Sequence, residues 1–334
     1  MSKKQLGVGL DIGTMNIVSA RQGEGKKTLL SRIRDAFLDL DLSAKKMLKL
    51  SGVDFIERED EILIIGDAAL ETANVFGQEA RRPLSQGLIS AGEIDALEVL
   101  GILIKHVLGE PSEENEVCYF SVPAAPVDDL TRDVVYHQGV FERIVSECGY
   151  EAVSSNEAMA IIFSECAKET FSGLSISFGA GMCNIALAVN TIEGLCFSVA
   201  RGGDWIDSGA ARATGSTRSK IVAIKESGID LMNPKTREEE ALAVYYKSLI
   251  EYCLKNVVNE FKKISGKFSL PKPIPLVISG GTSKAGGFVE FFTQVFEKQK
   301  KRFPIEVSEI RQAKDPLNAV ALGLCIQAQT EYEE

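Results

Sequence analysis

Zinc-binding patterns are the first thing this sequence lacks. It contains two histidines and seven cysteines in 334 residues, and no two cysteines form a C-x-x-C pair. Without such pairs the sequence gives no indication of a zinc site. An odd number of cysteines scattered through apolar stretches is typical of buried free thiols in a reducing compartment, so we expect a cytoplasmic protein.

Long apolar runs and an excess of basic residues are also missing. No run approaches the length of a transmembrane helix, and the polar residues 1–6 lead straight into a predicted strand. We therefore expect no signal peptide and no intrinsic membrane anchor. The formal net charge is −10. Such a surface repels phosphate backbones, so we expect no direct binding of nucleic acid.

What is present is ordinary for a globular protein. Hydrophobic residues make up 45% of the chain and charged residues 25%, and the length suits two domains or one large bilobed domain. Apolar spacing predicts helices over residues 94–108, 130–148 and 236–263. In the last of these, one face would carry Leu242, Tyr245, Leu249, Tyr252, Val257 and Phe261. The predicted strands cover residues 5–11, 17–22, 62–66, 117–122, 174–178, 185–189 and 274–278.

Glycine turns follow three of the predicted strands. They begin at Gly13, Gly179 and Gly280. A glycine turn lets backbone N–H groups approach a phosphate closely and form an anion-binding nest. One such turn is weak evidence, because a simple hairpin has the same sequence. Two copies of this strand and glycine turn, about half a chain apart, predict two duplicated α/β halves that face each other.

Asp11 stands at the end of the first apolar strand. An unpaired carboxylate is costly there. Binding of hydrated Mg²⁺ is one explanation for a carboxylate at this position. A turn or N-cap carboxylate is the alternative.

These segments resemble a known superfamily. The sequence Gly-Leu-Asp-Ile-Gly-Thr at 9–14 is similar to the first phosphate loop of actin, DnaK-type chaperones and sugar kinases. Residues 177–183 resemble its second phosphate loop, and residues 278–283 resemble its adenosine motif. The resemblance extends in order along nearly the whole chain to bacterial actins of the MreB and MamK kind. The further matching segments are residues 82–84 with 87–89, 121–124, 156–160, 201–204 with Asp207, 224–226, and 315–317 with 319–323.

The resemblance implies ATP or ADP and Mg²⁺ as cofactors, and it implies roles for single residues. Asp11 would hold Mg²⁺ through water and Glu157 would orient the attacking water, so these are the implied catalytic residues. The alternative for Glu157 is a first-turn acid stabilised by the helix dipole. The implied nucleotide contacts are Gly13, Thr14 and Met15 on one side of the phosphates, Gly179, Gly181 and Met182 on the other, Lys225 and Glu226 at the base and ribose, and Gly280, Gly281 and Thr282 at the nucleoside.

Two departures from the family pattern bear on function. Ser177 stands where the second phosphate loop usually begins with aspartate, so a second acid near the metal is missing. Hydrolysis would then be slow, or Mg²⁺ would be held differently. Residues 228–234 form only a short segment at the position where MreB-like proteins insert a subdomain with its own strands. The outer part of the second half should therefore be small.

The predicted fold is α/β, with two RNase H-like halves and a nucleotide cleft between them. The first half would comprise residues 1–150 and about 316–334, with a small insertion at about 30–75. The second would comprise residues 151–315, with a reduced outer segment at about 215–263. A C-terminal helix at about 316–330 would return to the first half.

The resemblance favours a cytoskeletal ATPase that self-associates into nucleotide-dependent filaments. Two alternatives stay open. One is a non-polymerising, DnaK-like ATPase that serves as an assembly or chaperone module, although no peptide-binding domain follows the adenosine motif. The other is a small-molecule kinase, although no segment clearly supplies the aspartate base that such enzymes use.

Overall fold

The computed structural model describes residues 6–23, 27–264 and 273–333. The strands within these residues are β1 Val8–Ile12, β2 Asn16–Gln22, β3 Thr28–Arg34, β4 Phe37–Asp41, β5 Ile56–Glu57, β6 Glu61–Ile65, β7 Leu84–Ser85, β8 Leu88–Ile89, β9 Val117–Val122, β10 Glu151–Asn156, β11 Gly173–Phe178, β12 Cys183–Val189, β13 Ile192–Val199, β14 Ile274–Ser279 and β15 Val307–Gln312. The helices are α1 Lys45–Ser51, α2 Asp67–Phe76, α3 Ala96–Leu108, α4 Val134–Glu147, α5 Glu157–Glu165, α6 Gly203–Thr214, α7 Arg218–Glu226, α8 Arg237–Ile264, α9 Phe288–Gln299 and α10 Ala319–Thr330.

Two five-stranded sheets with the same topology form the framework. The first has the order β3-β2-β1-β9-β10 and the second β13-β12-β11-β14-β15. In the first sheet β1, β2 and β3 pair antiparallel, and β9 and β10 add in parallel on the other side of β1. In the second sheet β11, β12 and β13 pair antiparallel, and β14 and β15 add in parallel on the other side of β11. This repetition confirms the predicted α/β fold with two RNase H-like halves.

Each sheet is covered by its own apolar core. Strands β11 and β14 are buried along their whole length, as expected for the centre of a sheet with helices on both faces. Helix α8 covers the second sheet with a buried face that includes Leu242, Leu249 and Val257. Tyr246 is buried on this face, whereas the predicted Tyr245 and Tyr252 only flank it. The true core face is therefore rotated from the predicted one.

Helices α5 and α10 pack together at the junction of the halves. Gly323 of α10 lies against the carbonyl of Ala160 in α5, and a Cβ at Gly323 would collide with it. On its other side α10 covers β1, where a Cβ at Gly9 would collide with the Ala321 carbonyl. The predicted C-terminal helix therefore begins at Ala319 and contacts both β1 and α5.

The outer parts of the two halves differ in size. Strands β4, β6 and β5 form a small separate sheet that packs with α1 and α2 in the first half. Strand β3 belongs to the large sheet, so the inserted unit begins after residue 34 instead of near residue 30. Between α7 and α8 the described chain has turns and one isolated bridge, from Asp230 to Gly286, and no strand.

Two predicted boundaries differ from the structure. The helix predicted from residue 130 begins at Val134, because Asp133 caps it by accepting a hydrogen bond from the Val135 N–H at 2.8 Å. Strand β10 pairs with β9, so the first sheet continues to Asn156, beyond the boundary predicted at residue 150. Among the helices in the described ranges, none is both long enough and apolar enough to cross a membrane.

Candidate nucleotide site

A cavity of about 460 Å³ lies between the two halves, where the glycine turns after β1, β11 and β14 converge. Every residue that the sequence predicted for the site lines it. These are Asp11, Gly13, Thr14, Met15, Glu157, Gly179, Gly181, Met182, Lys225, Glu226, Gly280, Gly281 and Thr282. The topology brings them together because β1 and β11 are the central strands of equivalent sheets, and both end at the cleft.

The glycine turn after β11 packs against the first half, whereas the turn after β1 is closed by its own backbone. Gly13 closes the β1–β2 turn by donating its N–H to the Asn16 carbonyl at 3.0 Å. In the second loop, a Cβ on Gly181 would collide with the backbone N of Gly87 and lie 2.6 Å from the Gln86 carbonyl carbon. Only glycine allows this approach, so the second loop is seated against the first half.

Helix α6 and the third turn hold the second loop in place. The N–H groups of Gly203 and Asp204, at the start of α6, donate to the carbonyls of Gly179 and Ala180 at 2.9 and 2.8 Å. The Thr282 hydroxyl donates to the same Gly179 carbonyl at 3.0 Å. The carbonyls of Gly179 and Ala180 are thereby already hydrogen-bonded within the protein.

Asp11 lies at the acidic end of the cavity. The Ser121 hydroxyl donates to its Oδ1 at 3.0 Å, and Ser121 in turn accepts from the Ile12 N–H at 2.8 Å. Burial raises the pKa of Asp11, and the hydrogen bond from Ser121 opposes that rise. A carboxylate so poorly solvated gains most from a cation, which fits the implied Mg²⁺.

Glu157 is the second carboxylate of the cavity. It begins α5, which Asn156 caps by accepting from the N–H groups of Ala158 and Met159. Burial, with the negative charge of Asp11 adding to it, raises the pKa of Glu157. Asn184 opposes the rise by donating Nδ2 to the Glu157 Oε2 at 2.8 Å. A divalent cation would relieve the repulsion between the two acids.

The described residues hold no cluster of three or more metal-ligating side chains. Two carboxylates suit Mg²⁺ when nucleotide phosphates and water complete its shell, because Mg²⁺ in phosphoryl-transfer sites is commonly bound in this way. The residues present therefore fit Mg²⁺ that arrives with a nucleotide.

Lys225 and Glu226 also line the cavity, but both are already paired. Both carboxylate oxygens of the buried Asp207 accept from the Lys225 ammonium, at 2.7 and 2.6 Å. Burial raises the pKa of Asp207, and Lys225 counteracts that effect. Glu226 lies 3.5 Å from the guanidinium of Arg34, which belongs to the first half and also contacts Asp67 at 3.5 Å.

Sequence reasoning missed several residues of this site. Ser121 and Asp207 were matched only as parts of motifs, and Asn184 and Arg34 were not singled out. The signal for Asn184 was a polar residue in an otherwise apolar strand, directly after the second loop. Arg34 had no local signal, because its partner Glu226 comes from the other half.

Several solved structures match this fold over nearly the whole chain. The MamK double helical filament is 18% identical, with a TM-score of 0.72, and the match covers 98% of this chain and 99% of that one. MreB 5 of Spiroplasma citri bound to AMPPNP is 14% identical, with a TM-score of 0.70 and coverage of 99% and 98%. The ethanolamine utilization protein EutJ from Carboxydothermus hydrogenoformans is 17% identical, with a TM-score of 0.55 and coverage of 96% and 88%. These matches confirm the predicted actin-like fold.

Sequence comparison gives the family. A search of curated proteins finds no match. A sequence profile of the Volactin family matches residues 6–328, which is nearly the whole chain. The protein therefore belongs to the Volactin family.

Proposed function

We propose that this chain binds ATP with Mg²⁺ in the cleft, hydrolyses it slowly and assembles with copies of itself into filaments. The observation that carries the proposal is the convergence of three glycine turns from both halves on one cavity that also contains Asp11 and Glu157. The structures that match over the whole chain add support, since one is a MamK filament and another is an MreB bound to AMPPNP.

The residues would bind different parts of Mg-ATP according to their position in the cleft. Gly13, Thr14 and Met15 would offer backbone N–H groups to the phosphates from the first half, and Gly179, Gly181 and Met182 would do so from the second. Asp11 would hold Mg²⁺ through water, and the bound ion would neutralise charge on the phosphates. Gly280, Gly281 and Thr282 would pack against the nucleoside.

Hydrolysis would depend on positioning, because phosphoryl transfer needs little covalent help from a protein. Glu157 would orient the attacking water. Ser177 lines the cavity as a neutral hydroxyl, so the site lacks the additional negative charge of an aspartate. We therefore propose slow turnover and a long-lived ATP state that favours assembly.

At the nucleoside end, the Lys225 ammonium is already bound to Asp207. Any effect of Lys225 on the nucleoside would therefore depend partly on Asp207. Glu226 would reach the ribose only if its pairing with Arg34 is exchanged or shared. A reducing, cytoplasmic location would suit the seven cysteines, which are all free thiols.

Calorimetry and sedimentation test the two parts of the proposal separately. We expect the wild type to bind Mg-ATP and to pellet with Mg-ATP but not without nucleotide. Asp11→Ala should weaken Mg-dependent binding, and Ser177→Asp should raise phosphate release. Absence of ATP and ADP binding at millimolar ligand would refute the site. Binding by a protein that stays monomeric at high concentration would instead favour a non-polymerising ATPase.

A further inference from the structure

Asn184 makes two side-chain hydrogen bonds at the junction of the halves. It lies on β12 of the second sheet and is 2% exposed. Its Nδ2 donates to the Glu157 Oε2 at 2.8 Å, and its Oδ1 accepts from the Ala124 N–H at 3.1 Å. Glu157 follows β10 and Ala124 follows β9, so both partners directly follow strands of the first sheet.

The orientation of the Asn184 amide is fixed by its two partners. Ala124 N–H can only donate and an ionised Glu157 can only accept. A flipped amide would place its oxygen against the carboxylate and its NH₂ group against the Ala124 N–H, which are two repulsive contacts. The donor is therefore directed at Glu157 as long as Ala124 keeps its position.

Ala124 is held in place by the second half. It begins a segment, residues 123–128, that lies beside β13 like an added strand. Ser198 accepts from the Val127 N–H at 3.0 Å and donates its N–H to the Ala125 carbonyl at 3.2 Å and its hydroxyl to the Ala124 carbonyl at 2.7 Å. The second sheet therefore holds both Asn184 and the backbone N–H that fixes the orientation of its amide.

We infer that Asn184 is the positioning residue for Glu157 and that it orients the carboxylate through an amide whose direction Ala124 fixes. Within the described chain, Asn184 supplies the direct side-chain hydrogen bond to the Glu157 carboxylate. Oε1 is left to direct the attacking water. An amide thus does here what a second carboxylate could not, because it orients Glu157 without adding negative charge. The inference rests on the proposed ATP hydrolysis.

Three variants separate this role from a general structural one. Asn184→Ala removes both hydrogen bonds. Asn184→Asp keeps an acceptor for Ala124 and replaces the donor with a repelling oxygen, and it is nearly isosteric. Asn74→Asp adds the same charge on the exposed side of α2 and serves as the control.

We expect both Asn184 variants to slow single-turnover phosphate release by about 10- to 100-fold, the effect of a misplaced reacting group, and Asn184→Ala to do so with unchanged affinity for Mg-ATP. Asn74→Asp should behave as wild type. In a Glu157→Ala background, Asn184→Ala should cause no further loss, because its effect passes through Glu157. Thermal unfolding of each variant checks that it is folded.

Hydrogen exchange gives a readout independent of turnover. Without nucleotide, the Ala124 amide should exchange faster in Asn184→Ala but not in Asn184→Asp, which keeps the acceptor. Wild-type turnover in Asn184→Asp would overturn the inference, and so would a further loss in the Glu157→Ala background. If the wild type binds ATP but releases no phosphate, the proposed hydrolysis fails and the inference fails with it.

Discussion

His137 shows how a single buried group makes stability depend on pH. The imidazole is 2% exposed, packs edge-on against Phe141 with ring centroids 4.4 Å apart, and has no hydrogen-bond partner among the described residues. Burial lowers the pKa of His137 from its ordinary value of 6.5 to about 4. The neutral ring is therefore the form that the folded protein accepts.

The sign of the effect follows from proton binding. Between pH 6.5 and 4 the unfolded chain binds a proton at this residue and the folded chain does not, so acid favours unfolding. The free energy of unfolding should fall by at most about 1.4 kcal/mol per pH unit in this range because of His137 alone. Urea unfolding of His137→Leu at several pH values should give a correspondingly flatter dependence.

His106, the other histidine, provides the matched control because it is exposed on α3. His106→Leu should retain the His137-dependent slope that His137→Leu loses. Parallel curves for wild type and His137→Leu would mean that the folded protein accommodates the charged ring.

At the scale of elements, the contact between the second loop and the Gln86–Gly87 turn depends on the absence of a side chain. Gly181→Ala would drive a methyl group into the Gly87 backbone. We expect a loss of about 1–3 kcal/mol in the free energy of unfolding, the usual cost of overpacking, and a marked loss of nucleotide affinity. Urea unfolding and calorimetry would measure the two effects.

Gly101 is the control for this substitution, since a Cβ there meets open space. Because Gly101 lies inside α3, Gly101→Ala should stabilise the protein by about 1 kcal/mol. Equal stability and nucleotide affinity of Gly181→Ala and wild type would show that the loops can separate without cost.

The predictability of these elements depended on how local their causes are. The glycine turns could be predicted because a tight approach of backbone to ligand or backbone requires glycine, as at Gly280 with φ +91°. The start of α4 could not, since apolar spacing alone extended the helix to Leu130, which is exposed. The pairing of Lys225 with Asp207, and the contacts of Asn184, arise from packing between elements that no sequence window contains.

At the scale of the whole molecule, ion pairs link the two halves across the cleft. Arg34 on β3 lies 3.5 Å from Glu226, and Arg82 binds Asp204 of α6 at 2.9 Å. Arg34 and Glu226 are partly exposed, so their attraction is modest and sensitive to salt. Such a pair resists opening of the cleft without locking it.

Arg34→Gln should therefore speed the release of a fluorescent ATP analogue about two- to fivefold at low salt, which corresponds to about 0.4–1 kcal/mol for a partly exposed pair. The difference from wild type should shrink as salt is added. Stopped-flow fluorescence would follow the release. Lys247→Gln removes a charge from an exposed pair on α8 and should leave the rate unchanged. Slower release by Arg34→Gln would mean that Arg34 normally keeps Glu226 away from the ribose.

The packing of α10 on β1 also constrains the order in which the chain can fold during synthesis. Strand β1 is made long before α10, yet its Gly9 face is covered by Ala321 of that helix. During synthesis this face of the first sheet stays uncovered until the whole second half has been translated. The face of the second sheet that α8 and α9 cover is not delayed in this way, because both helices lie close to its strands along the chain. The half that is synthesised first is therefore the one that is completed last.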